Sequence, residues 1–127
     1  MQRIAALALL VDDYDRAIAY YTGALGFRLI EDTPQGPDKR FVRVAPQGGD
    51  IALLLAKAAK PEQVARIGDQ TGGRVFLFLH TDDFWRDYEA YKAKGVAFTE
   101  TPREETYGTV VVFRDLYGNL WDLVQHR

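Results

Sequence analysis

An internal repeat constrains this chain more than any other feature of its sequence. The stretch Ile4–Tyr21 aligns without a gap with Arg74–Tyr91, so that the pair Asp12-Asp13 meets Asp82-Asp83. After one residue is deleted near the end of the following helix, the alignment continues through further pairs: Gly26 with Gly95, Glu31 with Glu100, Val42 with Val111, Gly49 with Gly118 and Leu54 with Leu123. Self-similarity of this kind indicates repeated structural units, so the chain is predicted to contain the same module twice.

Composition sets the limits on what these modules build. With 127 residues, 47% of them hydrophobic and 27% charged, the chain has the size and balance of one globular domain with its own core. The formal net charge of −2 argues against nucleic-acid binding, which requires a basic face. Because there is no cysteine, a disulfide framework, a thiol nucleophile and a thiolate metal site are excluded.

The apolar run Ile4–Val11 is interpreted as a strand and not as a membrane or export segment. It is far shorter than the ~20 residues that span a bilayer. It follows a single arginine, Arg3, and ends at Asp12-Asp13 without the small residues of a cleavage site. The sequence therefore predicts a cytoplasmic protein without a membrane partner.

Each module is predicted to have the order β-α-β-β-β within one domain of residues 1–127. Module 1 (residues 1–56) starts with the strand Ile4–Val11 and a helix capped by Asp12 or Asp13 and ended by Gly26. The strands predicted to follow are Phe27–Asp32, Arg40–Ala45 and Ile51–Ala56, with the Pro- and Gly-rich loop Thr33–Asp38 between the first two. A linker (residues 57–73) holds a short helix, Pro61–Ile67.

Module 2 (residues 74–127) repeats this order. Its predicted elements are the strand Arg74–His80, the helix Asp83–Lys94 and the strands Val96–Thr101, Thr109–Arg114 and Leu120–Gln125. The fold class is therefore α+β. One helix covers one face of each sheet, and the other faces are left to form an open barrel or an apolar trough.

Three features together resemble the vicinal oxygen chelate superfamily, which includes glyoxalases, bleomycin-resistance proteins and ring-cleaving dioxygenases. They are the paired modules, the stretch Val11–Phe27 (VDDYDRAIAYYTGALGF) and the turn Phe113–Asn119 (FRDLYGN). The resemblance covers essentially the whole chain and implies that family's fold. It also implies a homodimer, since family members of this length commonly bind ligands in troughs shared between two chains. The fold serves several chemistries, so the resemblance alone does not select a function.

The resemblance implies four metal-ligand positions, one near the middle of the first and last strand of each module. In this sequence they match Ala6, Leu53, Phe76 and Asp122. Only Asp122 carries a metal-binding side chain, whereas a divalent ion needs three or more protein ligands. No metal site and no other cofactor is therefore predicted.

Strand alternation predicts which side chains face the trough. If Phe76 faces it, Arg74, Phe78 and His80 share that side of the strand. Arg43 is too polar to lie under a helix and is placed on the same face of its own strand. Tyr107, in a polar loop with Glu104-Glu105, could close over a ligand. The predicted ligand-binding residues are Arg43, Arg74, Phe76, Phe78, His80, Tyr107, Val112 and Asp122.

His80 and Asp122 are the candidate catalytic residues, and each has a structural alternative. His80 could act as an acid or base near neutral pH, or could only hydrogen-bond the loop after its strand. Asp122 could anchor the amine or hydroxyl of a ligand, or could be paired with Arg43 or Arg74, because a buried carboxylate without a partner is costly. His126, near the end of the chain, is given no role.

Two functional hypotheses follow, and the sequence leaves open whether the protein is an enzyme. The first is a metal-independent protein that binds a small, partly aromatic or apolar molecule in the trough. The second is a lactoylglutathione-lyase-like or dioxygenase-like enzyme that uses His80 and Asp122 or an unrecognised metal site. A module that binds no ligand would instead have its trough filled by side chains.

Overall fold

The two repeats fold into two units in the computed structural model, which describes residues 1–127. Unit 1 is Met1–Ile67 and unit 2 is Gly68–Arg127. Each unit contains a sheet and a helical segment that contacts strands of that sheet. The two open sheets have four and five strands, which confirms the predicted α+β class.

In unit 1 the strands are hydrogen-bonded in the order β1-β4-β3-β2, with β1 and β4 parallel and the other pairs antiparallel. The elements are β1 (Ala6–Val11), α1 (Tyr14–Ala19), β2 (Arg28–Gly36), β3 (Lys39–Ala45), β4 (Ala52–Lys57) and α2 (Pro61–Val64). A π-helical turn continues α1 over Tyr20–Ala24. Because β1 and β4 are adjacent and parallel, the repeat places the first and last strands of the module side by side.

The first helix starts and ends where its sequence predicts, but its last turn is π-helical. Asp13 caps it, because its Oδ2 accepts a hydrogen bond from the backbone amide of Arg16 at 2.8 Å. The hydroxyl of Thr22 donates to the carbonyl of Ile18 at 2.7 Å, and such a bond competes with the regular ladder at the point where the π-helical turn begins. Gly26, with φ of 71°, ends the helical path as predicted.

In unit 2 the strand order is β5-β9-β8-β6, and β7 also pairs with β8. The elements are β5 (Val75–His80), α3 (Phe84–Ala93), β6 (Ala97–Phe98), β7 (Arg103–Glu105), β8 (Gly108–Arg114) and β9 (Leu120–His126). β5 and β9 are parallel, like β1 and β4 in unit 1. Asp83 caps α3 through the backbone amide of Arg86 at 3.2 Å, the counterpart of the Asp13 cap.

Each unit has a core of side chains that are less than a tenth exposed. The core of unit 1 includes Leu9, Val11, Tyr14, Ala17, Tyr21, Val42, Val44, Leu53 and Leu55. The core of unit 2 includes Phe84, Tyr91, Val96, Val111, Phe113, Trp121 and Leu123. Helix and strand residues contribute to both cores, and the buried face of the first helix includes Tyr14, Ala17 and Tyr21.

Two loop predictions are wrong. The predicted loop Thr33–Asp38 is largely strand, because β2 runs to Gly36 and only Pro37-Asp38 turn between β2 and β3. β2 is an edge strand, where Pro34 need not donate to a ladder on both sides. In unit 2 the predicted strand Val96–Thr101 is regular only at Ala97–Phe98, and strand β7 forms where a polar loop was expected.

No helix in the structure combines the length and the apolar character needed to cross a membrane. The longest α-helix, α3, has ten residues, which is about half of the ~20 that a bilayer requires.

Candidate functional site

The turn that leads into β9 is held by one buried carboxylate. Asp115, which is 6% exposed, accepts hydrogen bonds at Oδ1 from the backbone amides of Tyr117 and Asn119, both at 3.0 Å. Its Oδ2 accepts from the side chains of Asn119 and Trp121, also at 3.0 Å each. Trp121 is thereby fixed on the buried side of β9. The next residue, Asp122, consequently lies on the other face of the sheet.

Asp122 lies in a row of three side chains across neighbouring strands. Its register partners are Phe78 on β5 and Val112 on β8, and residues directly opposite each other share a sheet face. Phe78 is 64% exposed, while Asp122 and Val112 are half-buried. This Asp122 row (Phe78, Asp122 and Val112) combines an accessible aromatic ring with one carboxyl group.

The Asp122 carboxyl group is poorly compensated by its surroundings. Its Oδ1 is buried and has no hydrogen-bond partner. Burial raises the pKa of Asp122, the charge of Arg103 opposes this rise, and the charge of Glu100 adds to it. Arg103 is itself bound by Glu100 at 2.8 Å and Glu105 at 2.6 Å. This cation is thus shared between two other carboxylates, and Asp122 retains the capacity to bind a polar group.

We expect Asp122→Asn to stabilise the protein at pH 7. Because the pKa of Asp122 is raised in the folded state, ionisation opposes folding. Below the pKa that Asp122 has in the unfolded chain, its carboxyl group is protonated in both states and the contribution to stability is fully present. This contribution to the free energy of unfolding is lost as pH rises through the raised pKa of the folded state. The variant should therefore be more stable than the parent at pH 7, because the neutral amide keeps the shape of the side chain and carries no charge to desolvate. Its advantage should vanish near pH 3.

Urea unfolding at a series of pH values measures this difference. A variant that is less stable than the parent at pH 7 would show that Asp122 is held by a stabilising partner and is not an open anchor.

The predicted partners of Asp122 are not the ones that the structure provides. Arg103, which the sequence reasoning overlooked, is the arginine whose charge acts on the pKa of Asp122. Arg43 lies in unit 1, where its Nε and Nη2 donate to Glu31 at 3.2 and 3.1 Å. Arg74 precedes β5 and is exposed. Strand β7 pairs with β8, the neighbour of β9. A cation on β7 could not be placed near Asp122 from the sequence, because that strand was itself expected to be a loop.

Phe76 and Arg74 do not follow the simple alternation from Phe78. The register between β5 and β9 shifts between Val75 and Leu77, as at a β-bulge. An extra residue on one strand breaks the period of two, so the Asp122 row does not extend to Phe76 or Arg74. Phe76 is half-buried.

His80 contacts a residue that the sequence reasoning set aside. Its Nε2 lies 3.2 Å from Nε2 of His126, and the two ring centroids are 4.4 Å apart. The ring of Tyr107, which is 45% exposed in the turn between β7 and β8, lies 5.9 Å from the ring of His126. Tyr107 and His80 are therefore brought together through His126. Strand alternation could have found this contact, since Asp122, Val124 and His126 are two residues apart on one strand.

Unit 1 contains a cavity that the sequence did not predict. Its volume is about 760 Å³, and it opens where β3 and β4 are no longer paired. The ladder between these strands covers only Arg43 with Leu54 and Val44 with Leu53. The lining residues are Tyr14, Gln35, Asp38, Lys39, Arg40, Phe41, Leu54, Leu55, Ala56, Lys57, Ala58, Ala59 and Gln63. None of the residues of the Asp122 row lines it.

Comparison with known proteins identifies the family. Residues 3–123 match the model of the Glyoxalase/Bleomycin resistance protein/Dioxygenase superfamily. The chain belongs to this superfamily. Within it, an uncharacterized protein of Shewanella frigidimarina (strain NCIMB 400) is 59% identical over 126 residues, which cover 98% of this chain and 93% of the relative.

Solved structures share the fold of this chain along its whole length. UcmS2 has a TM-score of 0.84 and 28% identity, with 98% of both chains covered. TnmS3, an antibiotic binding protein from Streptomyces sp. CB03234, has a TM-score of 0.82 and 29% identity, with 100% of this chain and 98% of that chain covered. The fold expected from the sequence resemblance is therefore confirmed.

The residues at the implied metal positions do not fit the metal of this superfamily. The sheet registers correct one of the four positions. Asp122 lies opposite Phe78 in unit 2, and the residue opposite Ala8, which is the counterpart of Phe78 in unit 1, is Leu54 and not Leu53. Leu53 is 4% exposed and belongs to the core. Leu53 and Leu54 both have aliphatic side chains, which cannot bind a metal. The structure also holds no group of three or more His, Cys, Asp or Glu side chains placed to bind an ion. Asp122 alone would supply one ligand of the three or more required.

Proposed function

We propose that this chain binds a small, partly aromatic molecule at the Asp122 row, without a metal and without converting it. The observation that carries the proposal is a buried carboxyl oxygen without a hydrogen-bond partner, next to a phenyl ring that is 64% exposed. A buried carboxyl oxygen without a partner is costly in a surface that binds nothing. The printed name of TnmS3 describes an antibiotic binding protein, which supports this class of function for a related fold.

The aromatic part of the ligand would pack on Phe78. A large exposed ring on a sheet face offers apolar area without further ordering of the backbone, and ring pairs contribute about 0.5–1.5 kcal/mol beyond the area they bury. Val112, on the other side of Asp122, extends the apolar surface. A flat molecule with one polar substituent would fit this arrangement of apolar and polar groups.

The polar part of the ligand would be an amine or a hydroxyl group. An ammonium group would supply the cation that Asp122 lacks, since Arg103 is bound by Glu100 and Glu105. A hydroxyl group would donate to Oδ1 or accept from the protonated carboxyl, whose population the raised pKa increases. A ligand carboxylate would be repelled. The charge of the ligand's polar group would therefore determine which molecules bind at the Asp122 row.

Three naphthalene probes of equal ring size test this proposal. We expect 1-naphthylmethylamine and 1-naphthol to shift the backbone amide NMR signals of residues 78, 112 and 122, and 1-naphthoate to bind at least about tenfold more weakly. Asp122→Asn should reduce the preference among the probes, because it removes the charge. Phe78→Ala should weaken the binding of all three by a similar factor.

Trp85→Ala is the matched control, because Trp85 is an equally prominent aromatic residue of unit 2, 52% exposed, on helix α3. Its replacement should leave all three affinities unchanged. Equal binding of naphthoate and the amine would contradict the role of Asp122. Chemical conversion of a bound compound, abolished by Asp122→Asn, would favour the enzyme hypothesis instead. The homodimer implied by the family resemblance stays a prediction.

A further inference from the structure

We propose that His80 and His126 form a two-imidazole site for a late first-row divalent cation such as Zn²⁺, Ni²⁺ or Cu²⁺. This site is separate from the four positions that the superfamily uses for a metal. It also does not depend on the Asp122 row, since neither histidine is a member of it. The proposal rests on the geometry of two nitrogen atoms at the end of a pair of parallel strands.

The two side chains come from neighbouring strands of unit 2. His80 is the last residue of β5 and is in register with Val124 of β9, while His126 is the last residue of β9. His80 and Val124 share a face because they are directly opposite, and His126 lies two residues beyond Val124 on the same face. The pairing of β5 and β9 therefore places both imidazole rings on the same face of the sheet, and neither ring is carried by a loop.

The distance between the nitrogen atoms matches two ligands of one metal. Zinc–imidazole bonds measure about 2.0–2.1 Å, so two nitrogens at a tetrahedral angle are separated by about 3.3 Å. The observed separation of the two Nε2 atoms is 3.2 Å, and the ring planes are inclined by 57°. A cation could thus be bound without movement of either strand once the two exposed rings turn their Nε2 lone pairs toward it.

The chemistry of the pair suits a divalent cation. A hydrogen bond between the two Nε2 atoms requires that one carries a proton and the other a lone pair. When a metal ion uses the Nε2 lone pair of both rings, the proton between them moves to Nδ1 of its own ring, so both imidazoles stay neutral. Imidazole nitrogens suit Zn²⁺, Cu²⁺ and Ni²⁺, whereas Mg²⁺ and Ca²⁺ prefer oxygen ligands.

Both histidines are exposed, so the cation would have access from solvent and would keep open positions for water or a donor atom of a ligand. The guanidinium group of the neighbouring Arg127 is bound to Glu104 at 3.2 Å, which offsets a positive charge close to the site. Two protein ligands are fewer than the three or more of a resident metal site, so the ion would be held weakly and reversibly, with water completing its coordination.

The chain contains only these two histidines and no cysteine, which makes the experiment direct. The protein without an affinity tag is titrated with ZnCl₂, NiCl₂ or CuCl₂ and followed by calorimetry, and the titration with diamagnetic Zn²⁺ is also followed by long-range ¹H–¹⁵N spectra of the two imidazoles. We expect one ion per chain, with both imidazoles shifted together, Cu²⁺ bound most tightly and no response to MgCl₂. His80→Gln and His126→Gln should each lower the affinity at least about tenfold, because each removes one of two ligands.

Glu62→Gln is the control, because Glu62 is an exposed carboxylate on α2 in unit 1, and its replacement should leave the affinity unchanged. Both histidine positions are exposed, so their variants are expected to keep the parental melting temperature, which is checked first. Absence of binding at millimolar metal, or parental affinity in either single variant, would overturn the proposal. The naphthalene experiment is carried out without metal, so the two proposals can fail independently.

Discussion

Replacement of Asp115 by alanine is expected to lower the free energy of unfolding by about 3 kcal/mol or more. The change leaves four donors without their acceptor: the backbone amides of Tyr117 and Asn119, and the side-chain nitrogens of Asn119 and Trp121. Each buried group that loses its hydrogen bond costs about 1–3 kcal/mol, so even partial rescue by water leaves a large loss. Urea unfolding at pH 7 measures it as a shift of the midpoint at constant slope.

Asp82→Ala is the matched control for this change. The side chain of Asp82 is 89% exposed and pairs with Arg86 at 3.0 Å on the protein surface. Its removal should alter the free energy of unfolding by less than about 0.5 kcal/mol, because exposed ion pairs contribute little. If both variants were equally stable, the hydrogen bonds of Asp115 would not be what holds the turn before β9.

The features of this fold that the sequence predicts best are those that occur in both repeats. The repeat, the Asp caps and the two glycines after the helices act locally, and each is found where the sequence places it. The loop Thr33–Asp38 was mispredicted because its prolines and glycine are typical of turns. They are tolerated here because β2 has a neighbour on one side only, which is a property of the sheet and not of the segment.

The position equivalent to Asp122 shows how an alignment error arises. Residues 53 to 55 are all leucine, so a shift of one residue leaves the apparent match unchanged. The connection between β8 and β9 is one residue shorter than that between β3 and β4, as the bounds of these strands show. A shift of one residue moves a side chain to the opposite face of a sheet, which is why Leu53 lies in the core and Leu54 does not.

The partners of the candidate site residues could be inferred only in part. His126 follows from alternation along β9, once that strand is extended by one residue beyond the predicted end at Gln125. Arg103 could not be inferred in this way, because its strand β7, which pairs with β8 across the hairpin Glu105–Gly108, was expected to be a loop. The charge around Asp122 is therefore a consequence of tertiary structure that no local pattern specifies.

We expect Gly108→Ala to lower the free energy of unfolding by about 2–3 kcal/mol. Gly108 has a φ of 152°, and a Cβ at this position would lie 2.1 Å from the carbonyl oxygen of Gln125. The strained backbone alone costs about 1–3 kcal/mol, and the overlap adds to it because a backbone atom cannot rotate away. Gly23→Ala is the control. Its Cβ would meet no atom within 4 Å, so it should be neutral or stabilising by up to about 1 kcal/mol.

The same substitution should also affect the proposed metal site, because Gly108 is in register with His126. The new methyl group can be accommodated only if β8 and β9 separate at this end, and that movement displaces His126 relative to His80. Zn²⁺ affinity should therefore fall in Gly108→Ala and stay unchanged in Gly23→Ala. A Gly108→Ala variant with the stability and Zn²⁺ affinity of the parent would show that β8 accommodates the methyl group without displacing His126. A variant with reduced stability but full affinity would show instead that the site tolerates a wider separation of the strands.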